Sequence, residues 1–155
     1  MKLTRITEVG VAVPDLEKAT RLFVERLGAR PGEIVTVKRY GMRYRMCRVG
    51  NVDFELMEPL SDDSVIASFL RSRGPGLHHV AFAVDDLGAV LDILAAKGSK
   101  LIDREPRSLH GGRYAFVHPS SFEGVMLELI EYPEGAVLPG SPGGSPSSKL
   151  ENQED

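Results

Sequence analysis

Glu8-Val9-Gly10-Val11-Ala12-Val13-Pro14-Asp15-Leu16 is the segment that decides the fold of this chain, because it returns as His79-Val80-Ala81-Phe82-Ala83-Val84-Asp85-Asp86-Leu87. A second pair of segments follows at nearly the same spacing. Phe54-Glu55-Leu56 is matched by Leu127-Glu128-Leu129. Each pair places an acidic or imidazole side chain in an otherwise apolar segment. The pattern predicts two copies of one structural module.

Each copy is predicted to fold as βαβββ, which makes the chain an α+β protein. Alternating β-branched and small residues indicate the strands, Asp15 and Asp86 precede segments with helical periodicity, and Gly28 and Gly98 are helix stop signals. In the first module we expect strands at 4–13, 33–39, 42–49 and 52–58. In the second we expect strands at 77–84, 100–103, 113–118 and 125–131.

These modules are predicted to form a single domain over residues 1–133. Module one covers about 4–60, a connector helix about 61–73, and module two about 76–133. Residues 134–155 are rich in Pro, Gly and Ser and have little apolar surface to bury, so we expect a disordered tail.

Composition narrows the classes of protein that remain. The chain has 155 residues, 42% of them hydrophobic, which is enough for one core. Its formal net charge of −3 gives no general basic field, so we expect no nucleic-acid partner. We expect no membrane partner either, since no apolar run approaches the roughly 20 residues that span a bilayer. The N-terminus has no signal-peptide core, and we expect a cytoplasmic protein. A lone cysteine, Cys47, excludes an internal disulfide and a multi-thiolate zinc site.

Strand geometry predicts that the repeated polar residues share one face of the sheet. Successive side chains in a strand point to opposite faces, so each polar residue lies opposite the valines and leucines beside it. If the apolar face packs on helices, the other face carries Glu8, Glu55, His79 and Glu128. Three carboxylates there would repel each other unless a cation or protons neutralised them. An imidazole with three carboxylates suits Mg, Mn, Co or Fe(II), and zinc is also compatible.

Four segments of the chain resemble the methylmalonyl-CoA epimerases of the vicinal oxygen chelate superfamily, which also contains glyoxalase I and extradiol dioxygenases. The segments are GLHHVAF (76–82), FELMEPLSDDSVIASFL (54–70), FVHP (116–119) and GVMLELIEYP (124–133). The resemblance covers roughly residues 4–133. It implies paired βαβββ modules that form a cupped mixed sheet around one divalent metal, in a homodimer that acts on an acyl-CoA substrate.

The resemblance also assigns site residues. His79, Glu55 and Glu128 match the family's metal ligands, and Gly111-Gly112 matches its glycine-rich substrate loop. His118 is a further substrate-binding candidate.

Arg43 and Arg45 share one face of a strand. If that face lines the active site, they would bind a substrate carboxylate or CoA phosphates. The alternative is a solvated strand.

Glu8 is the main departure from the family, which normally has His at this first metal position. It is predicted to be a ligand, a proton-transfer group or a partner of an arginine. One His and three carboxylates around a dication sum to −1, whereas two of each sum to zero, so the metal would be a weaker Lewis acid. Glu128 is the first candidate for the base, by resemblance to glyoxalase I, and Glu8 or Glu55 is the second catalytic candidate.

The predicted function is therefore a metal-dependent epimerase. It would interconvert the epimers of methylmalonyl-CoA, or of a related 2-substituted malonyl thioester, by proton abstraction and reprotonation. A different metal-dependent lyase or isomerase of the glyoxalase I type is the alternative that Glu8 suggests. A metal-free binding protein is a third class, against which His79, Glu55 and Glu128 argue.

Overall fold

The computed structural model describes residues 2–109 and 111–136, so the predicted disordered segment lies outside the described residues from 137 onward. The described residues form eight strands and three α-helices. These are β1 (Leu3–Ala12), α1 (Leu16–Leu27), β2 (Arg30–Val37), β3 (Met42–Val49), β4 (Val52–Pro59), α2 (Val65–Arg73), β5 (Gly76–Val84), α3 (Leu87–Ala96), β6 (Arg107–Leu109), β7 (Gly112–Val117) and β8 (Leu127–Glu131). The order is βαβββ, a connecting helix, and βαβββ again, which confirms the predicted modules.

The described chain divides into two compact units. The first unit contains residues 8–78, and the second contains residues 2–7 together with residues 79–136. Strand β1 contributes to both. The strand order is β2-β3-β4-β1-β5-β8-β7-β6. The β1–β4 and β5–β8 pairs are parallel, whereas β2–β3, β3–β4, β6–β7 and β7–β8 are antiparallel. The predicted mixed sheet is confirmed.

Apolar residues on the strands of the first unit pack against its helices. Leu56 of β4 belongs to a core cluster with residues of α1, and the ring of Phe54 lies 5.2 Å from the ring of Phe23. On the opposite face, Met57 packs with Ile66 of α2. Because neighbours in a strand alternate, Glu55 points away from α1.

Helices α1 and α3 begin, and α1 ends, where the sequence signals place them. Asp15 accepts a hydrogen bond from the backbone N–H of Lys18 at 2.9 Å, and Asp86 caps Ala89 in the same way at 3.0 Å. Helix α1 ends at Gly28, which has φ +64°, a conformation that glycine adopts without strain. None of the helices among the described residues is long and apolar enough to cross a bilayer.

In the second unit, one face of the strands packs against α3. Leu87 and Leu91 of α3 form a core cluster with Val117 of β7 and Leu129 of β8. Glu128, the neighbour of Leu129 in β8, therefore points to the other face, as the alternation predicts.

The strand predicted at 100–103 does not form, and that prediction is wrong. Only Leu101 makes a bridge, to Val117. The backbone N–H groups of Ile102 and Asp103 both donate to the carbonyl oxygen of Phe116, and the Asp103 carboxylate accepts from the Phe116 N–H at 2.9 Å. A side-chain acceptor thus replaces a strand partner, and β6 forms further along the chain.

Candidate active site

Three buried carboxylates, those of Glu8, Asp53 and Glu55, lie on one face of the first unit. Strand β1 runs parallel to β4 in a register that places Glu8 beside Asp53 and Gly10 beside Glu55. Residues paired in this way share a face of the sheet. Glu8 is fully buried and Glu55 is 6% exposed. Removing carboxylates from water is costly unless positive charge compensates, so this face is suited to hold a cation.

The carboxylate next to Glu8 is already matched by an arginine. Arg48 Nε donates to Asp53 Oδ1 at 2.6 Å, and its Nη2 donates to Oδ2 at 3.0 Å. Both side chains are buried. The hydrogen bond to Asp53 raises the pKa of the Arg48 guanidinium, so this arginine carries its charge at any physiological pH.

Sequence reasoning missed this pair, although a signal for it exists. Arg48 and Asp53 flank the Gly50-Asn51 turn symmetrically, and a tight hairpin places such positions opposite each other. Their opposite charges would have predicted a cross-strand ion pair.

In the second unit, an imidazole faces a carboxylate. His79 lies on β5 and Glu128 on β8, and the parallel register pairs Ala81 with Glu128. Since His79 and Ala81 share a face, His79 and Glu128 do too. His79 Nε2 lies 3.1 Å from Glu128 Oε2, and the side chains are only 3% and 7% exposed.

Aromatic rings form a wall beside this pair. The ring of Phe116 lies 5.6 Å from the imidazole of His79 in an edge-to-face arrangement, and the ring of Tyr114 lies 6.0 Å further on. Strand β7 positions both rings, because Phe116 is in register with Glu128. The guanidinium of Arg107 lies over both rings. The sequence analysis did not single out these three residues.

The donor chemistry fits a divalent metal ion. An unprotonated imidazole nitrogen and a carboxylate oxygen both offer electron pairs, so at 3.1 Å they require a proton or a cation between them. Glu55, His79 and Glu128 are buried, and each offers one ligand atom to a metal ion. Imidazole with carboxylates is a ligand set typical of Zn, Mn, Co and Fe(II).

Arg43 and Arg45 lie on the other face of β3 from Met46, the residue paired with Glu55. Arg43 forms an ion pair with Glu58, and Arg45 Nη1 lies 3.7 Å from Glu17 on α1. The structure therefore does not bring these arginines to the face that carries Glu55. Their role in substrate binding stays a prediction, and this placement does not favour it.

A repeated contact explains Arg43 better. Glu58, its partner, also accepts a hydrogen bond from Leu16 N at the start of α1. In the second unit, Arg113 bonds to Glu131, which accepts from Leu87 N at the start of α3. The internal repeat thus extends to an arginine–glutamate–helix contact. Comparing the charged residues of the two copies would have found it.

Gly111 lies in the turn that precedes β7, and Gly112 is the first residue of that strand. Gly112 pairs with Leu109, and Gly111 has φ +78°. A side chain at Gly111 would be strained at that φ and would contact Pro133. A turn requirement therefore accounts for Gly111, and the predicted substrate role of this loop stays a prediction.

Two of the remaining histidines have local structural contacts. His118 Nδ1 accepts from the Ser120 N–H at 3.1 Å and so caps a 3₁₀ turn, and its substrate role stays a prediction. His78 packs edge-on against Phe69 with ring centroids 4.9 Å apart.

Comparison with known proteins agrees with this geometry. Residues 7–116 match the model of the glyoxalase/bleomycin resistance protein/dioxygenase superfamily. That match, together with the paired βαβββ units and the buried imidazole–carboxylate pair, defines the class. A mitochondrial methylmalonyl-CoA epimerase of Mus musculus is 39% identical over 130 residues, which cover 83% of this chain and 73% of the mouse protein. The chain belongs to the methylmalonyl-CoA epimerase family of this superfamily.

Two further relatives extend the comparison. An ethylmalonyl-CoA/methylmalonyl-CoA epimerase of Cereibacter sphaeroides is 34% identical over 128 residues, covering 81% of this chain and 96% of that protein. A solved structure of methylmalonyl-CoA epimerase in complex with methylmalonyl-CoA and NH4+ superposes with a TM-score of 0.77 at 28% identity. The superposition covers 86% of this chain and 97% of the other.

Proposed function

We propose that this protein is a metal-dependent epimerase that interconverts the epimers of methylmalonyl-CoA or of a related 2-substituted malonyl thioester. The observation that carries the proposal is the buried pair of His79 and Glu128, whose facing donor atoms suit a cation. The names of the relatives support the substrate class, and one solved relative is a complex with methylmalonyl-CoA.

The proposed metal ligands are Glu8, Glu55, His79 and Glu128. The two carboxylates of the first unit share one face of β1 and β4, and the pair of the second unit shares one face of β5 and β8. All four side chains are buried, where carboxylates require a counter-charge. When bound, a divalent metal polarises a carbonyl oxygen and so makes the neighbouring carbon more acidic. Elemental analysis of the purified protein would identify the metal among Co, Mn, Mg, Fe and Zn.

The protein's own part in the reaction is proton transfer. The C–H bond of carbon 2, the carbon between the thioester and the carboxylate of the substrate, breaks. Its electron pair delocalises into the thioester, and the proton moves to a carboxylate oxygen of the protein. Return of a proton to the opposite face of the carbon gives the other epimer. We assign Glu128 as one proton-transfer group and Glu8 as the other. The aromatic wall of Phe116 and Tyr114 would limit the access of water to Glu128, whose exposed fraction is 5%.

Solvent exchange at carbon 2 tests this function directly. In deuterated water, the metal-loaded protein is expected to incorporate one deuterium into methylmalonyl-CoA, as read by mass spectrometry, and to interconvert the epimers. EDTA should abolish both, and added metal should restore them. Exchange no faster than in buffer alone would overturn the proposal.

A matched pair of neighbouring histidines provides the control. His79→Ala should lose the metal and the exchange. His78→Leu should keep both, because His78 packs against Phe69 and its replacement preserves an apolar contact.

A glyoxalase I-type isomerase is the second candidate, and the observation that favours it is the fully buried carboxylate at position 8. A third carboxylate ligand at this position would make the metal a weaker Lewis acid toward the carbonyl of a malonyl thioester. Turnover of the hemithioacetal of methylglyoxal and glutathione, with no exchange on methylmalonyl-CoA, would establish this alternative.

Assembly and compartment complete the proposal. We expect a homodimer, and sedimentation at micromolar concentration should give twice the chain mass of 16.9 kDa. We also expect a cytoplasmic location, which fractionation of the source cells would test.

A further inference from the structure

Arg107 is held firmly at the edge of the second unit. Its Nε donates to Asp103 Oδ1 at 2.8 Å, and its Nη2 donates to the same oxygen at 2.6 Å. The side chain of Asp103 is only 10% exposed, and its other oxygen accepts from the Phe116 N–H. An arginine bound in this way has already lost much of its side-chain freedom, so it would bind a further anion at a lower entropic cost.

The guanidinium is also placed over the aromatic wall. Its central carbon lies 5.8 Å from the ring centroid of Tyr114 and 6.0 Å from that of Phe116. Phe116 in turn contacts His79 edge-to-face. Arg107 and His79 therefore flank the same ring, and a third of the arginine side chain remains exposed.

We propose that Arg107 binds the free carboxylate of the substrate's acyl group and so selects malonyl-type thioesters over neutral acyl-CoA molecules. The inference rests on the proposed function and names the residue that recognises the acid. An arginine fork matches a carboxylate, and its position over aromatic rings strengthens the attraction.

The acyl carboxylate fits this position better than a CoA phosphate does. In a malonyl thioester the carboxylate is attached to the carbon that reacts, which must lie near Glu128. The nearest phosphate is separated from that carbon by the whole pantetheine arm. The Arg107 guanidinium lies 6.0 Å and the His79 imidazole 5.6 Å from the ring centroid of Phe116, so Arg107 lies near the imidazole that is proposed to hold the metal.

Ligand binding tests the inference without relying on turnover. Affinities of the metal-loaded protein for malonyl-CoA, acetyl-CoA and free CoA would be measured by calorimetry. Arg107→Gln is expected to weaken malonyl-CoA binding about 10- to 100-fold, because a charge-assisted hydrogen bond is lost. Acetyl-CoA and free CoA should change less than about twofold, since their binding does not use that bond. Arg107→Lys keeps the positive charge but lacks the two-pronged guanidinium, so it should lose only part of the affinity for malonyl-CoA.

Arg113→Gln is the matched control. Arg113 lies on the other face of β7 and is also paired with a carboxylate, Glu131, so its loss should leave all three affinities unchanged. Equal losses for malonyl-CoA and free CoA in Arg107→Gln would overturn the inference, and so would no loss at all. If the wild type does not prefer malonyl-CoA over acetyl-CoA, the proposed substrate class fails and the role of Arg107 fails with it.

Discussion

Glu8 is fully buried on β1, beside a carboxylate, Asp53, that already has an arginine partner. Arg48 bonds to both oxygens of Asp53. If Glu8 is a ligand of the proposed metal, one imidazole and three carboxylates around a dication sum to −1. A more negative ligand set makes the metal a weaker Lewis acid toward a carbonyl oxygen.

Replacing Glu8 by histidine tests its role. If Glu8 is a ligand, Glu8→His should keep the metal and restore a neutral ligand sum, so the epimerisation rate should stay the same or rise. Metal content by elemental analysis and kcat/KM for methylmalonyl-CoA are the two measurements.

The variant also separates the two roles assigned to Glu8. If Glu8→His keeps the metal but its rate falls by about 100-fold or more, Glu8 is a proton-transfer group. General acid–base groups contribute roughly 10²- to 10⁴-fold to the rate. Loss of the metal in Glu8→His would contradict both roles.

At the level of elements, the first residue of α1 and the first residue of α3 each bond to a glutamate at equivalent positions of the two modules. Glu58 accepts from Leu16 N and Glu131 accepts from Leu87 N. A carboxylate at a helix N-terminus satisfies an unpaired N–H group and interacts favourably with the helix dipole. Each contact joins the end of a unit's last strand to the start of that unit's helix.

Glu131→Gln should destabilise the protein by about 1 kcal/mol at pH 7, because the amide keeps the shape but loses the charge that acts on the helix and on Arg113. The measurement is the free energy of unfolding from urea denaturation. Glu105→Gln, at an exposed position, is the control and should change it little.

The loss of stability caused by Glu131→Gln should depend on pH in a defined direction. The hydrogen bond from Arg113 and the Leu87 N–H lower the pKa of Glu131 in the folded protein. Its stabilising contribution is therefore complete above the unfolded pKa of about 4.3 and is lost as the pH falls through the lower folded pKa. The free energies of unfolding of the wild type and of Glu131→Gln should therefore converge at acidic pH. A difference that grew with falling pH would contradict this contact.

At the scale of the whole molecule, metal binding should stabilise the native state. At a free metal concentration 100 times the Kd, linkage contributes about 2.7 kcal/mol. For a chain of this size that raises Tm by about 5–10 °C. Thermal denaturation with added metal and with EDTA measures the shift.

The His79→Ala variant should show no such shift, while its Tm without metal stays close to that of the metal-free wild type. His78→Leu should keep the full shift. An equal metal-dependent rise in His79→Ala would mean that the metal binds elsewhere.

Most of the fold was predictable because the internal repeat and the alternation of strands are local properties. The boundaries of α1 follow from Asp15 and Gly28, and the Gly50-Asn51 turn separates β3 from β4. The prediction of a strand at 100–103 was wrong because the apolar residues of this segment have a local pattern that is typical of a strand. Asp103 instead bonds to the backbone of β7, a contact between residues 13 positions apart.

The sequence by itself determined that two βαβββ units form and which polar residues share a face within each strand, because periods of 2 and 3.6 depend only on neighbouring residues. Tertiary structure alone decided which side chains from distant segments meet. It placed His79 opposite Glu128 and Arg107 over Phe116. These contacts depend on strand register and on loop paths, which bring together residues distant in the chain.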